Sequence, residues 1–284
     1  MKRMNRKSLN DAFKLLIVCC LSLTGCKEDM KSLYQKAVNA YQTENYQQAA
    51  ELFETILEKY PDQTLSLKAR YELGNIYLNK LKQPENALKH LQTLYAKSDP
   101  GKYAMESLKL IGYIYDKSLN DCLKGVDAYR LLLEKYAAEV DAAAYRYDIG
   151  ECFFRLHDYE QAIQEYQKIV EQAPNPYALQ ASFQIANSHA LLEHWDEAIE
   201  RYQALLLAET ISPEFGTDVM LELAFCYEQV EQFEDALKLY QKIQSDPSKA
   251  EKTDTALLER KIERVKDAIK ESKKSPAAVD WRRR

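Results

Sequence analysis

Residues 150–169 read GECFFRLHDYEQAIQEYQKI, and the spacing inside this stretch decides the fold. Gly150 and Ala162 are small, Phe153 lies three residues after the first, and Tyr166 and Ile169 lie four and seven after the second. Offsets of this kind gather side chains on one face of an α-helix. The polar residues around His157 part the two runs, so the stretch predicts two short antiparallel helices. Their small residues let the pair approach closely, and their rings fill the gap to a neighbour.

The arrangement recurs on both sides. A first series of small residues, Ala37, Gly74, Gly112, Gly150, Ala186 and Ala224, is followed 12 or 13 residues later by Ala49, Ala87, Gly125, Ala162, Ala198 and Ala236. Members of the second series are 38, 38, 37, 36 and 38 residues apart. Four residues past each come Phe53, Leu91, Tyr129, Tyr166, Tyr202 and Tyr240, and three further Ile56, Leu94, Leu132, Ile169, Leu205 and Ile243. Behind the first series stand Tyr77, Tyr115, Phe153 and Tyr227, with Ala40 and His189 in the other two copies. One helix pair cannot bury such a face alone, so the units must stack. Links such as Pro174-Asn175-Pro176 and Ile211-Ser212-Pro213 break the helices between units.

This pattern resembles the tetratricopeptide repeat (TPR). The signature is most complete in Gly150, Phe153, Tyr159, Ala162, Tyr166 and the closing Pro174. Repeat one matches through Tyr46, Ala49, Phe53 and Pro61, repeat five through Trp195, Ala198 and Tyr202, and repeat six through Phe233, Ala236 and Tyr240. Repeats two and three depart from it, with Pro84 and Cys122 in the aromatic slot and one extra residue in the turn. The resemblance implies an all-α fold, a superhelical solenoid of about six helix-turn-helix repeats over residues 31–248. A capping helix is expected within 249–274, since Thr253 to Lys273 puts Ala256, Leu257, Ile262, Val265 and Ile269 on one side and charge on the other. A basic tail, 275–284, follows.

In such a stack the first helix of each unit lines a concave surface. Reading its inward positions predicts a partner-binding groove of Tyr34, Tyr41, Tyr71, Asn75, Asn79, Tyr113, Glu151, Phe154, Arg155, Phe183, Asn187, Leu221, Phe225 and Gln229. Aromatic rings supply contact area at low entropic cost, and Asn, Gln and Arg can hydrogen-bond a peptide backbone. The alternative for these rings is core packing against neighbouring helices. Only Lys68 and Asn75 match the clamp that some TPR domains close on a terminal carboxylate, so that ligand is not expected.

Residues 1–25 have a different character. Lys2, Arg3, Arg6, Lys7 and Lys14 precede an apolar run, Leu15 to Leu23, too short to span a bilayer as a helix. The run closes on Leu23-Thr24-Gly25-Cys26, which resembles the bacterial lipoprotein signal. That resemblance implies cleavage before Cys26, acylation of Cys26, and a short linker, 26–30, tethering the repeats. Lys27, after the cysteine, implies transfer to the periplasmic face of the outer membrane in a Gram-negative host, and retention on the inner or plasma membrane otherwise.

Little else carries chemistry. His90, His157, His189 and His194 form no metal pattern; His90 is read on a charged helix face, His157 in a turn and His189 as a core residue. Cys152 and Cys226 occupy equivalent packing slots, whereas Cys122 is expected exposed in a turn, and no structural disulfide is expected. No phosphate loop or nucleophile elbow is present, so neither enzyme activity, nor a metal, nor a cofactor besides the lipid is expected. The net charge of -5 hides a signal of five bases and one acid and a basic end, leaving residues 26–248 at -14. An acidic body argues against nucleic acid, and nothing marks a small-molecule substrate. The expected partners are envelope proteins and, through the anchor, the membrane. A lipid anchor followed directly by TPR units resembles the TPR lipoprotein of the outer-membrane β-barrel assembly machine, the repeat region of the Tol-Pal coordinator, and the TPR pilotins of type IV pili. Roles in outer-membrane protein assembly, peptidoglycan-associated cell-wall coordination and pilus assembly therefore all stay open.

Overall fold

The computed structural model describes residues 29–172, 174–246 and 254–274; the signal, Cys26 and the tail at 275–284 lie outside them. The described residues hold thirteen helices and no strand. In chain order these are α1 (Met30–Gln42), α2 (Tyr46–Lys59), α3 (Thr64–Asn75), α4 (Pro84–Lys97), α5 (Lys102–Tyr113), α6 (Cys122–Tyr136) and α7 (Ala142–Arg155). They continue as α8 (Tyr159–Val170), α9 (Ala178–Leu191), α10 (Trp195–Leu206), α11 (Pro213–Gln229), α12 (Phe233–Gln244) and α13 (Thr255–Lys274). The chain divides into two compact units, one ending at Ser107 and one starting at Leu108. Within the first, α1 to α4 pack in succession; within the second, α6 to α13 do so.

Short polar side chains start several of the helices. Asp29 accepts a hydrogen bond from the Ser32 amide, Asn45 from Gln48, Asp121 from Lys124, Asp158 from Gln161 and Ser212 from Phe215. Each such cap satisfies an amide that the helix cannot, at about 1 kcal/mol. The turn inside every helix pair has one residue in the left-handed region: Glu44, Lys82, Asn120, His157, Glu193 and Glu231, with φ between 53° and 60°. None of these is glycine. The reversal is fixed by backbone bonds around it, as where His157 N donates to Phe154 O at 3.0 Å and Asp158 N to Phe153 O at 3.0 Å.

The extra residue of repeats two and three is absorbed inside the first helix, not in the turn. Ile76–Lys80 and Ile114–Ser118 are π-helical, closed by Leu81 N donating to Ile76 O at 3.0 Å and Leu119 N to Ile114 O at 2.9 Å. A π turn takes one more residue per hydrogen-bonded ring than an α turn. The connecting turns at Lys82 and Asn120 consequently keep the same left-handed form as the others.

The core follows the two small-residue series. Tyr129, Tyr166, Tyr202 and Tyr240 are the largest fully buried side chains. A Cβ added at Gly150 would lie 2.6 Å from Tyr166 Cε1, so the ring occupies the space that glycine leaves. At the end of the second unit, Leu258, Ile262 and Val265 of α13 cover Met220, Tyr240 and Ile243. That apolar face would otherwise meet water. The described part of the expected cap therefore runs from Thr255 to Lys274.

Candidate partner-binding surface

Burial sorts the expected groove residues. In the first unit Tyr34 is half-buried with its ring edge-on to Phe53 at 5.4 Å and Lys68 Nζ 5.2 Å over it, and burial pushes its phenol up to about 12. Tyr41 is 40% exposed, and Lys80 Nζ lies 5.8 Å from its ring centre. Tyr71 is half-buried beside Tyr103 at 6.1 Å. Asn75 donates to Tyr71 O at 3.0 Å and accepts from the exposed Asn79 at 3.5 Å.

In the second unit several expected contact residues are used internally. Glu151 Oε1 accepts from Tyr166 Oη at 2.7 Å and from Gln184 Nε2 at 2.8 Å. Gln184 Oε1 accepts from Asn187 Nδ2 at 2.8 Å, and Asn187 Oδ1 accepts from Tyr202 Oη at 2.5 Å. One run of hydrogen bonds thus crosses from α7 and α8 to α9 and α10. Neither buried phenol is left unpaired, and burial first, then Glu151, pushes the Tyr166 phenol far up. Phe183 packs edge-on to Tyr202 at 5.8 Å and to Phe215 at 5.2 Å, and Phe154 packs edge-on to Tyr159 at 5.4 Å.

Arg155 does not stay on the helix face. Its Nη2 donates to Asp116 Oδ1, to Cys122 Sγ at 2.7 Å and to Cys152 Sγ at 3.3 Å. Cys122 is thus the first residue of α6 and only 5% exposed, which corrects the expectation of an exposed turn cysteine. Burial raises the Asp116 carboxyl, but hydrogen bonds from Lys117, Arg155 and Cys152 outweigh it and hold the group below its ordinary value. His90 is also displaced from its expected charged face, being stacked on Tyr77 at 5.6 Å with an 11° interplanar angle. His189 is half-buried, its ring 5.9 Å from that of His194.

What remains open to a partner includes Tyr113, 47% exposed, Gln229, and above all the region around Leu221 and Phe225. Leu221, Glu222 and Phe225 of α11 face Asp254 and the α13 residues Leu257, Leu258 and Lys261 across a cavity of about 380 Å³. Phe225 and Leu257 are 37% and 45% exposed at its mouth. Burial raises the Glu222 carboxyl, with Lys261 opposing the rise. The offset reading found Leu221 and Phe225. It missed Leu257, Leu258 and Lys261, because helix periodicity does not say which earlier helix a terminal helix covers.

The family model described as "Tetratricopeptide repeat" matches residues 34–102, 118–175 and 183–250. Among solved structures, the C-terminal part of a TPR repeat-containing protein from Cytophaga hutchinsonii is 17% identical, with 74% of this chain and 77% of that one covered and a TM-score of 0.55. A tetratricopeptide repeat protein from Parabacteroides merdae is 15% identical, covering 84% of this chain and 98% of its own, with a TM-score of 0.52. MamA from Desulfovibrio magneticus is 18% identical, covering 63% and 93%, with a TM-score of 0.51. These similarities concern the fold. No curated protein sequence matches significantly.

Proposed function

The chain belongs to the tetratricopeptide-repeat family, and we propose that it is a non-catalytic scaffold of the bacterial envelope, held by a lipid on Cys26 to the periplasmic face of the outer membrane, where it binds proteins engaged in outer-membrane protein assembly. The observation that carries the binding reading is the cavity between α11 and α13, about 380 Å³ and walled by Leu221, Phe225, Leu257 and Leu258. Its apolar walls suit large apolar side chains of a partner segment. Glu222 and Asp254 outnumber Lys261 among its charged lining residues, which favours a partner whose flanking residues are basic. The lipobox Leu23-Thr24-Gly25-Cys26 carries the anchoring half of the proposal.

Two experiments test the two halves separately. Changing Cys26 to Ser is expected to move the protein from the membrane to the soluble fraction of lysed cells, and unchanged membrane retention would refute the anchor. For the binding half, a photo-crosslinking amino acid placed at Phe225 should capture β-barrel assembly components in intact cells. Leu257→Glu should lower that capture about tenfold, as expected for a hot-spot loss. Capture of peptidoglycan-remodelling or pilus proteins instead would move the assignment to those pathways.

A further inference from the structure

Asp116, Cys122 and Cys152 are all buried, and one ligand atom from each lies within 4.8 Å of the others. They come from the π turn after α5, the first residue of α6 and the last half of α7. The two sulfurs meet because neighbouring repeats put cysteine in two slots that lie against one another. Cys122 stands where the other repeats carry Tyr46, Pro84, Tyr159, Trp195 and Phe233. Cys152 stands where others carry Ile76, Ile114 and Ser188. Cys226 occupies the same slot as Cys152 two repeats on, but the matching aromatic position beside it is Trp195, which packs in the same apolar cluster. Only the joint between repeats three and four thus brings thiol against thiol among the described residues.

Such a trio could serve a metal or a disulfide, and charge decides between them. Arg155 Nη2 already sits among the three ligand atoms, 2.7 Å from Cys122 Sγ and 3.3 Å from Cys152 Sγ. Lys117 Nζ lies 2.8 Å from Asp116 Oδ2. A dication would have to enter ground held by two cations. Joining the sulfurs removes one hydrogen from each thiol and brings no further cation into the site. We propose that Cys122 and Cys152 are a reversible disulfide pair, a covalent clasp between α6 and α7 that closes by exchange with a small-molecule disulfide.

The exchange runs in two steps. Cys122, the more accessible of the two at 5% exposure, loses its proton to water and its sulfur attacks one sulfur of the small disulfide, expelling one small thiolate. The Arg155 guanidinium beside it compensates the passing negative charge. Cys152 then loses its proton, attacks the Cys122 sulfur and expels the second small thiolate. Both expelled groups take up a proton, so two protein thiols are oxidised and one small disulfide is reduced to two thiols. Burial holds the Cys152 thiol protonated in the resting state, so the pair stays open until Cys122 is engaged. The sulfurs start within 4.8 Å of one another and need side-chain rotation to reach the ~2.05 Å bond.

The test uses the whole chain, purified in reducing buffer and then exposed to oxidised glutathione. The intact mass is expected to fall by about 2 Da, two hydrogens per bond formed. Peptide mapping should locate the bond at Cys122–Cys152, and dithiothreitol should restore the original mass. Cys226→Ser should oxidise as the wild type does, and Cys122→Ser should not. Because the bond closes a loop of about 30 residues, oxidation should raise the thermal midpoint by several degrees. A folded wild type whose mass does not change would overturn the proposal. So would a glutathione adduct that persists on Cys122, or a zinc ion bound one per chain that blocks oxidation.

Discussion

Gly150 shows how much one methyl group decides at the residue scale. With Tyr166 Cε1 at 2.6 Å from where a Cβ would stand, Gly150→Ala must displace a ring that is fully buried and bonded to Glu151. Overpacking of this kind costs about 1–3 kcal/mol, to be read as a lower midpoint in urea with an unchanged slope. The opposite change is expected at Glu193, held at φ 60° in the turn between α9 and α10. Glu193→Gly removes a left-handed strain of roughly 1 kcal/mol, partly offset by a freer unfolded chain, and should raise the same midpoint. Asn120→Gly should gain less, because asparagine tolerates this conformation. The small-residue series could be read directly from the sequence, since glycine and alanine mark a close approach by their lack of bulk. The left-handed turns could not, because Glu, Lys, Asn and His occupy them and the strain is imposed by packing on both sides.

At the scale of the element, the step of 13 residues from Gly74 to Ala87 announces an insertion without locating it. Spacing counts residues, while the choice between a longer turn and a π turn rests on which carbonyls the amides find. The same limit explains His90, whose place on α4 is readable but whose neighbour Tyr77, on the preceding π turn, is not. Burial, then the charges of Arg70 and Lys89 against that of Glu54, brings the His90 imidazole down to about 4 from 6.5. Between those values the unfolded chain binds the proton and the folded chain does not, so acidification favours unfolding. Stability of the first unit is therefore expected to be full above pH 6.5 and to fall as the pH drops toward 4. His90→Phe, which keeps a ring on Tyr77, should flatten that part of the pH profile in denaturant titrations. If the variant keeps the wild-type slope across the window, His90 is not the group responsible.

Across the whole molecule, the family was readable because six imperfect copies agree where one would not persuade. The exposure of the expected groove residues was readable only in part. Tyr41, Tyr113 and Phe225 reach solvent, whereas Glu151, Asn187 and Arg155 spend their polar atoms on neighbouring helices. Their residue types suit either role, and tertiary packing alone distinguishes them. The hydrogen bonds running Tyr166–Glu151–Gln184–Asn187–Tyr202 bear on how the array comes apart. A repeat array behaves as a row of weakly stable units coupled to nearest neighbours, and its cooperativity is set by the coupling. Within that run the bond from Gln184 to Glu151 is the one that crosses from the fifth repeat to the fourth, so Gln184 contributes to coupling their opening. Amides of α8 and α10 should exchange with deuterium at one common rate in the native chain. Gln184→Ala should split them into a faster and a slower group, so that a message arriving at one repeat would no longer be felt at the next.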